Sequence, residues 1–295
     1  MIPILFYRER NTGELKKEDI YGESALRFLY CSRLGRLLVK RLSSIPLIST
    51  LCGWWQSLPF TKRKIVPFIK KYKIDPSEFE KDIDAFPSFN DFFTRKLKKK
   101  ARPLAKGLIL PADGRYLFHQ NIKKCDGFLV KGKKFELTRL IGHPDLARIY
   151  EEGSMILARL SPTDYHRFHF PCDCLPNTAQ LINGSLYSVN PISVRQRIEV
   201  FTENKRMITS LETAKHGRIT YIEIGATAVG SIHQTYHPGK YYKKGDEKGF
   251  FSFGGSSLIL LFEPDTIQID SYLLENSSQK IETLCLFGQP IENNI

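Results

Sequence analysis

No Asp or Glu occurs between Glu23 and Asp75, a stretch that carries 11 Lys or Arg. A surface so one-signed selects polyanions, either nucleic acid or an anionic membrane. Cysteine is sparse, at 6 in 295 residues. Residues 1–7 are apolar but shorter than a secretory h-region, and no basic n-region precedes them. The expectation is a reducing compartment with free thiols, which excludes a disulfide scaffold. His169-Phe170-Pro171-Cys172-Asp173-Cys174 has the residue types of a metal site. Its Cys-x-Cys spacing is tight and no second pair lies close, so no metal is expected. Glycine shows no period and leucine no sustained heptad, which excludes collagen-like and coiled-coil chains.

What is present is a globular composition, 42% hydrophobic and 25% charged. That excludes wholesale disorder. The length suggests about two domains. The net charge is +13, and residues 1–106 hold 23 of the 44 basic side chains but only 11 of the 31 acids. Residues 1–106 therefore read as a basic helical docking module, and residues 107–295 as a separate body. Residues 24–42 have helical composition and length. Arg33, Arg36 and Lys40 share one stripe; Leu34, Leu38 and Leu42 share another. The uncharged run 42–61 approaches a membrane-spanning length, but Ser, Thr, Gln and two prolines dilute it. Trp54 and Trp55, flanked by Arg41 and Lys62-Arg63-Lys64, better fit a segment lying in the headgroup layer. Nucleic acid is the rival partner. The aromatics cluster in apolar runs rather than alternating with basic residues, and no zinc finger or helix-turn-helix pattern is evident, so no nucleic acid is expected.

From residue 108 onward strand signals dominate. A hairpin is predicted around Cys125-Asp126-Gly127, between 116–122 and 128–131. Further strands are predicted over 155–160, 180–189, 197–202, 207–212, 219–224, 257–262 and 267–273. Pro87-Ser88 marks a helix start before Phe89-Asn90-Asp91-Phe92-Phe93, and 135–150 reads as short helices. No strand–helix alternation appears, which argues against a doubly wound parallel sheet. The fold class expected is α+β: a helical, membrane-facing N-terminal module and a β-rich catalytic body.

Few residues carry chemistry. Phe253-Gly254-Gly255-Ser256-Ser257 precedes an apolar strand; by itself it reads as a tight turn or bulge. His166 and His169 stand three apart among aromatics, suited either to acid–base work or to one exposed and one core position. Asp113, after Leu110-Pro111-Ala112, is a turn residue or the acid that orients a histidine. Together, Asp113, His169 and Ser256 could form a triad, which supports a serine-nucleophile enzyme and no more. The Gly-x-Ser-x-Gly elbow is missing around Ser256, which counts against an ordinary α/β-hydrolase.

In combination the motifs resemble the phosphatidylserine decarboxylases, pyruvoyl enzymes made as self-cleaving precursors. The segments are Phe89-Asn90-Asp91-Phe92-Phe93-Thr94-Arg95, Pro111-Ala112-Asp113-Gly114, Asp164-Tyr165-His166-Arg167-Phe168-His169, Leu186-Tyr187-Ser188-Val189-Asn190-Pro191, Gly225-Ala226-Thr227-Ala228-Val229-Gly230-Ser231-Ile232, and Lys244-Gly245-Asp246-Glu247-Lys248-Gly249 leading into Gly255-Ser256. Each is weak alone; six in order are specific. One departure is Gly254-Gly255-Ser256-Ser257 where many bacterial members have Leu-Gly-Ser-Thr. It leaves a choice between Ser256 and Ser257, which the motif's register settles for Ser256.

The resemblance implies a barrel-like or sandwich-like antiparallel core. It assigns His169 as base, Asp113 as its orienting acid and Ser256 as nucleophile on the Gly255 carbonyl. Cleavage at Gly255-Ser256 would give a β chain, 1–255, and an α chain, 256–295, held as a heterodimer, with a covalent pyruvoyl group at residue 256. That group would form a Schiff base with phosphatidylserine and yield phosphatidylethanolamine and carbon dioxide. His166 is implied as proton donor or carboxylate-positioning group. The enzyme would sit peripherally on the cytoplasmic side of the cell membrane. Competing readings are a serine hydrolase using Asp113, His169 and Ser256 without self-cleavage, a non-catalytic membrane adaptor, and a pyruvoyl decarboxylase of a soluble amino acid.

Overall fold

The computed structural model describes residues 5–43, 46–124, 136–226 and 231–293. The body is a ten-stranded sheet faced by a three-stranded one. From one edge the large sheet runs Leu15–Lys17, Phe6–Glu9, Glu282–Cys285, Gly114–His119, Ser154–Leu160, Ser256–Phe262, Arg218–Gly225, Arg206–Glu212 and Leu175–Pro176. Gln180–Ile182 also pairs with Arg206–Glu212. Among these described strands the pairing of Phe6–Glu9 with Glu282–Cys285 is parallel, and the others are antiparallel.

Ser256–Phe262 is the central strand, buried along its whole length. A strand covered on both faces needs a continuous apolar run, which Leu258-Ile259-Leu260-Leu261-Phe262 supplies. Leu258, Leu260 and Phe262 share one core with Phe168 and Phe251 of the small sheet. Ile259 and Leu261 point to the opposite face and pack with Leu140 and Phe201 from the helices. The small sheet orders Ile232–Gln234, Glu247–Phe251 and Arg167–His169. Lys248 reaches out of it to Glu223 and Thr209 of the large sheet, a buried ion pair between the two layers, and also donates to Gln234 within its own sheet. The body is thus β-rich, with a small sheet packed on a large one.

Most predicted strands occur, with shifted ends. Two do not. Residues 197–202 fall in and between the helices Pro191–Gln196 and Val200–Glu203. There the Asn190 side chain accepts from the Ile192 N–H and Pro191 opens the helix, so cap chemistry overrides the apolar run. Likewise 267–273 leads into the helix Ser271–Ser278, because Asp270 caps the Tyr272 N–H. The run predicted at 180–189 holds only the strand Gln180–Ile182. The hairpin around Cys125, and residues 227–230 of the Gly225–Ile232 motif, lie outside the described residues.

The N-terminal third is not helical throughout. Phe6–Glu9 and Leu15–Lys17 join the edge of the large sheet, pairing Tyr7 with Glu282. Helices follow: Glu23–Cys31, Arg33–Leu42, Pro46–Gln56 and Ile65–Tyr72. The helix predicted over 24–42 breaks at Ser32, whose hydroxyl accepts from the Gly35 N–H. A Cβ at Gly35 would lie 2.1 Å from the Phe28 carbonyl oxygen, so only glycine lets the two helices approach. Leu34, Leu37, Leu38, Leu51, Trp54 and Trp55 are exposed. Among the described residues no helix is long and apolar enough to cross a membrane.

Candidate active site

Ser256 opens the central strand, paired with Leu160 on one side and Gly225 on the other. It is fully buried. Strand alternation sends Ser257 to the opposite face, where its hydroxyl has no hydrogen-bond partner. The serine that faces other reactive groups is therefore Ser256. Gly254, two residues before it, has φ 137, a conformation that side-chain-bearing residues avoid.

The nearest base is His166. Its Nδ1 lies 3.4 Å from Ser256 Oγ, and its Nε2 lies 2.9 Å from the Ser161 carbonyl oxygen. That carbonyl can only accept, so Nε2 carries the proton and Nδ1 is left as the acceptor facing the serine. Phe93 stacks on the ring at 3.9 Å. The loop after strand Ser154–Leu160 is fixed by Asp164, which accepts from the Ser161 N–H and is held by Arg115. Arg95, buried over the Phe79 and Phe92 rings, donates to the Thr163 and Asp164 carbonyls. Burial draws that guanidinium down to about 10.

His169 is placed elsewhere. It ends the strand Arg167–His169, where Phe168 turns into the core. Three positions in extended chain put His166 and His169 on opposite sides. His169 Nδ1 donates to the Gly245 carbonyl at 2.9 Å, and Nε2 accepts from the Tyr165 hydroxyl at 3.1 Å. Its ring stacks on Phe287 at 3.8 Å. Asp113 accepts a forked pair from Arg102 and the Phe287 N–H. Burial raises the Asp113 carboxyl, while Arg102 and the Phe287 amide oppose that rise. Asp113 and His169 are thus neighbours through Phe287, but no hydrogen bond joins them to each other or to Ser256. The triad expected from the resemblance is not assembled in this state, and His166 occupies the place given to His169. At Gly255 an added Cβ would meet only Val189, at 3.7 Å, so free space alone does not require glycine there.

Sequence reasoning missed Asp164, Ser161, Arg115 and Arg95 as parts of the site. Asp164 was legible as the acid two residues before His166. Arg115 and Ser161 act through backbone and ion-pair geometry that no spacing reveals.

Burial lowers the His166 imidazole to about 3, and those of His169 and His119 to about 4. All three rings are neutral in the folded protein at pH 7. In the unfolded chain they take up protons near pH 6.5. Below that pH the unfolded state binds more protons, so stability falls as pH drops. Asp113 and Glu223, raised by burial though each is held by a cation, oppose this. From pH 7.5 to 5.5 each ring is expected to cost roughly 1.4 kcal/mol. Urea unfolding of the Ser256→Ala protein at the two pH values should show a lower midpoint at pH 5.5. An unchanged or higher midpoint would contradict the neutral-ring assignment.

A family model described as phosphatidylserine decarboxylase matches residues 89–289. A phosphatidylserine decarboxylase proenzyme of Chlamydia pneumoniae is 49% identical over 288 residues, 97% of this chain and 96% of its own. The proenzyme of the same name from Chlamydia caviae is 47% identical over 294 residues, 99% of this chain and 98% of its own. That of Chlamydia felis is 45% identical over the same span. None of these relatives carries the name of a serine hydrolase.

Proposed function

The chain belongs to the phosphatidylserine decarboxylase family, and from that we propose that Ser256 and His166 drive its self-cleavage and then its decarboxylation of phosphatidylserine. The observation that carries this is the 3.4 Å approach of His166 Nδ1 to Ser256 Oγ, with Nε2 already committed to Ser161. A serine hydroxyl is a weak nucleophile and needs such a base. His166 takes the hydroxyl proton as Oγ attacks the Gly255 carbonyl carbon. The Gly255–Ser256 amide breaks as an ester forms to Oγ, and the proton passes to the new amine. Elimination across Cα and Cβ of residue 256 releases the Gly255 carboxylate and leaves a dehydroalanine. Water then displaces ammonia, and residue 256 ends as a pyruvoyl group. The products are a β chain, 1–255, and an α chain, 256–295.

A buried, sheet-anchored residue 256 facing a neutral imidazole is a fitting site for this group. Its ketone supplies the electron sink that decarboxylation needs. His166 faces the new N-terminus and is the group positioned to move a proton there. Asp164, Arg115 and Arg95 hold the loop that aims it. His169, with Tyr165 and Phe287, braces the adjoining strand, and Arg102 pairs with Asp113 beside it.

The substrate lies in a bilayer, so the protein docks to one. Leu34, Leu37, Leu38, Leu51, Trp54 and Trp55 form the apolar part of the docking surface, with Arg33, Arg36, Lys62 and Arg63 exposed beside them. Such a mixture suits peripheral binding at an anionic leaflet, as on the cytoplasmic side of the cell membrane. On this reading the docking region lies within residues 1–106, whose Phe93, Arg95 and Arg102 also reach the site, and 107–295 form the catalytic region.

The test is chemical. Phenylhydrazine should abolish carbon dioxide release from phosphatidylserine vesicles and add its mass to the 256–295 chain alone. Activity that survives full treatment, or label elsewhere, would remove the pyruvoyl group from the account.

A further inference from the structure

The helix Phe89–Phe93 touches both partners of the proposed cleavage. Phe93 stacks on His166, the base. Asn90 Oδ1 accepts from the Phe253 N–H at 2.9 Å, two residues ahead of the residue whose carbonyl is attacked. The Phe253 ring sits edge-on to Phe89 and Phe93, with centroids at 5.5 and 5.1 Å. The helix is itself anchored: Ser88 caps it, and the Phe89 N–H donates to the buried Thr61 hydroxyl.

Between Phe253 and Ser256 stand two glycines. Gly254 has φ 137, and the space beside Gly255 is open except for Val189. Side chains therefore cannot fix the direction of the Gly255 carbonyl. Its direction is set by the two ends of the segment. One end is Ser256, held in the sheet between Leu160 and Gly225. The other is Phe253, whose amide is held by Asn90.

We infer that Asn90 is a positioning residue for self-cleavage, fixing the Gly255 carbonyl against Ser256 Oγ through the Phe253 amide. This rests on the self-cleavage reading above. Its role ends with that step. After the chain is cut, Asn90 holds only the C-terminal tail of the 1–255 chain, while residue 256 stays in the sheet. Loss of Asn90 therefore slows maturation and spares the mature enzyme. A merely structural role would weaken both.

The experiment follows intact mass against time after synthesis of the full chain, for wild type, Asn90→Ala and Asn90→Asp. Aspartate keeps an acceptor oxygen facing the Phe253 amide. Misplacing a reacting group by about 1 Å can cost roughly 100-fold. Asn90→Ala is expected to cleave about 10- to 100-fold more slowly. Asn90→Asp should recover most of that loss. Carbon dioxide release per pyruvoyl group, counted by phenylhydrazine, should match wild type in both. The same substitutions in a Ser256→Ala background report folding through the thermal midpoint.

Wild-type cleavage rates in Asn90→Ala would overturn the proposal. So would equal slowing in Asn90→Asp, a fall in turnover per pyruvoyl group, or a drop in midpoint large enough to unfold the precursor. A wild-type chain that never cleaves, or a Ser256→Ala chain that does, would instead overturn the self-cleavage reading on which the inference stands.

Discussion

Replacing His166 with alanine is expected to slow self-cleavage by about 10²- to 10⁴-fold, the usual share of a positioned general base. The size follows from what surrounds the ring. Its Nε2 proton is given to the Ser161 carbonyl, so only Nδ1 is free to accept, and Ser256 Oγ is the group it faces. Burial holds the imidazole near 3, so the accepting form is the dominant one at pH 7. No second base lies within hydrogen-bond reach of Ser256 Oγ among the described residues. His169→Gln is expected to behave differently. Glutamine can still pair with Gly245 and Tyr165, and neither contact touches the nucleophile. That variant should keep most of the cleavage rate.

Removing both tryptophans of the proposed docking surface is the second large effect. Trp54 and Trp55 stand more than half exposed, and Trp55 packs its ring edge against Phe60 at 5.0 Å. Inserted into the headgroup layer, two such rings contribute on the order of 3 kcal/mol beyond what they already bury. Trp54→Ala with Trp55→Ala should therefore weaken binding to anionic vesicles by roughly 100-fold. The loss should persist at high salt. Salt screens the contribution of Arg33, Arg36, Lys62 and Arg63 within a Debye length of about 10 Å at 0.1 M, but leaves apolar insertion in place. Vesicle co-sedimentation at 0.05 and 0.5 M salt separates the two contributions. Binding by the double variant that equals wild type at high salt would remove this surface from the account.

The sequence disclosed the site's chemistry better than its geometry. Ser256, His166, His169 and Asp113 were all legible as reactive types in specific motifs. Which histidine meets the serine was not. The resemblance pointed to His169, whereas the strand ending there turns Phe168 inward and His169 toward Phe287. A three-residue spacing cannot fix a face until the segment's conformation is known. Strand 256–262 was readable because a fully buried strand is continuously apolar. The helices at 191–203 and 271–278 were not, because the caps of Asn190 and Asp270 outweigh β-prone residues beside them. Ion pairs such as Arg102–Asp113 and Arg115–Asp164 join positions too far apart in sequence for any local pattern. The exposed leucines and tryptophans were legible as a basic apolar stretch, yet the break at Ser32 and the entry of residues 6–17 into the sheet were not.

Time-resolved intact mass spectrometry of newly made wild-type, His166→Ala and His169→Gln chains tests the pairing of Ser256 with His166 most directly. The expected result is fragments 1–255 and 256–295 from wild type and His169→Gln, with His166→Ala remaining a full-length chain over the same interval. Cleavage of His166→Ala at the wild-type rate, with His169→Gln uncut, would contradict it and return the base's role to His169.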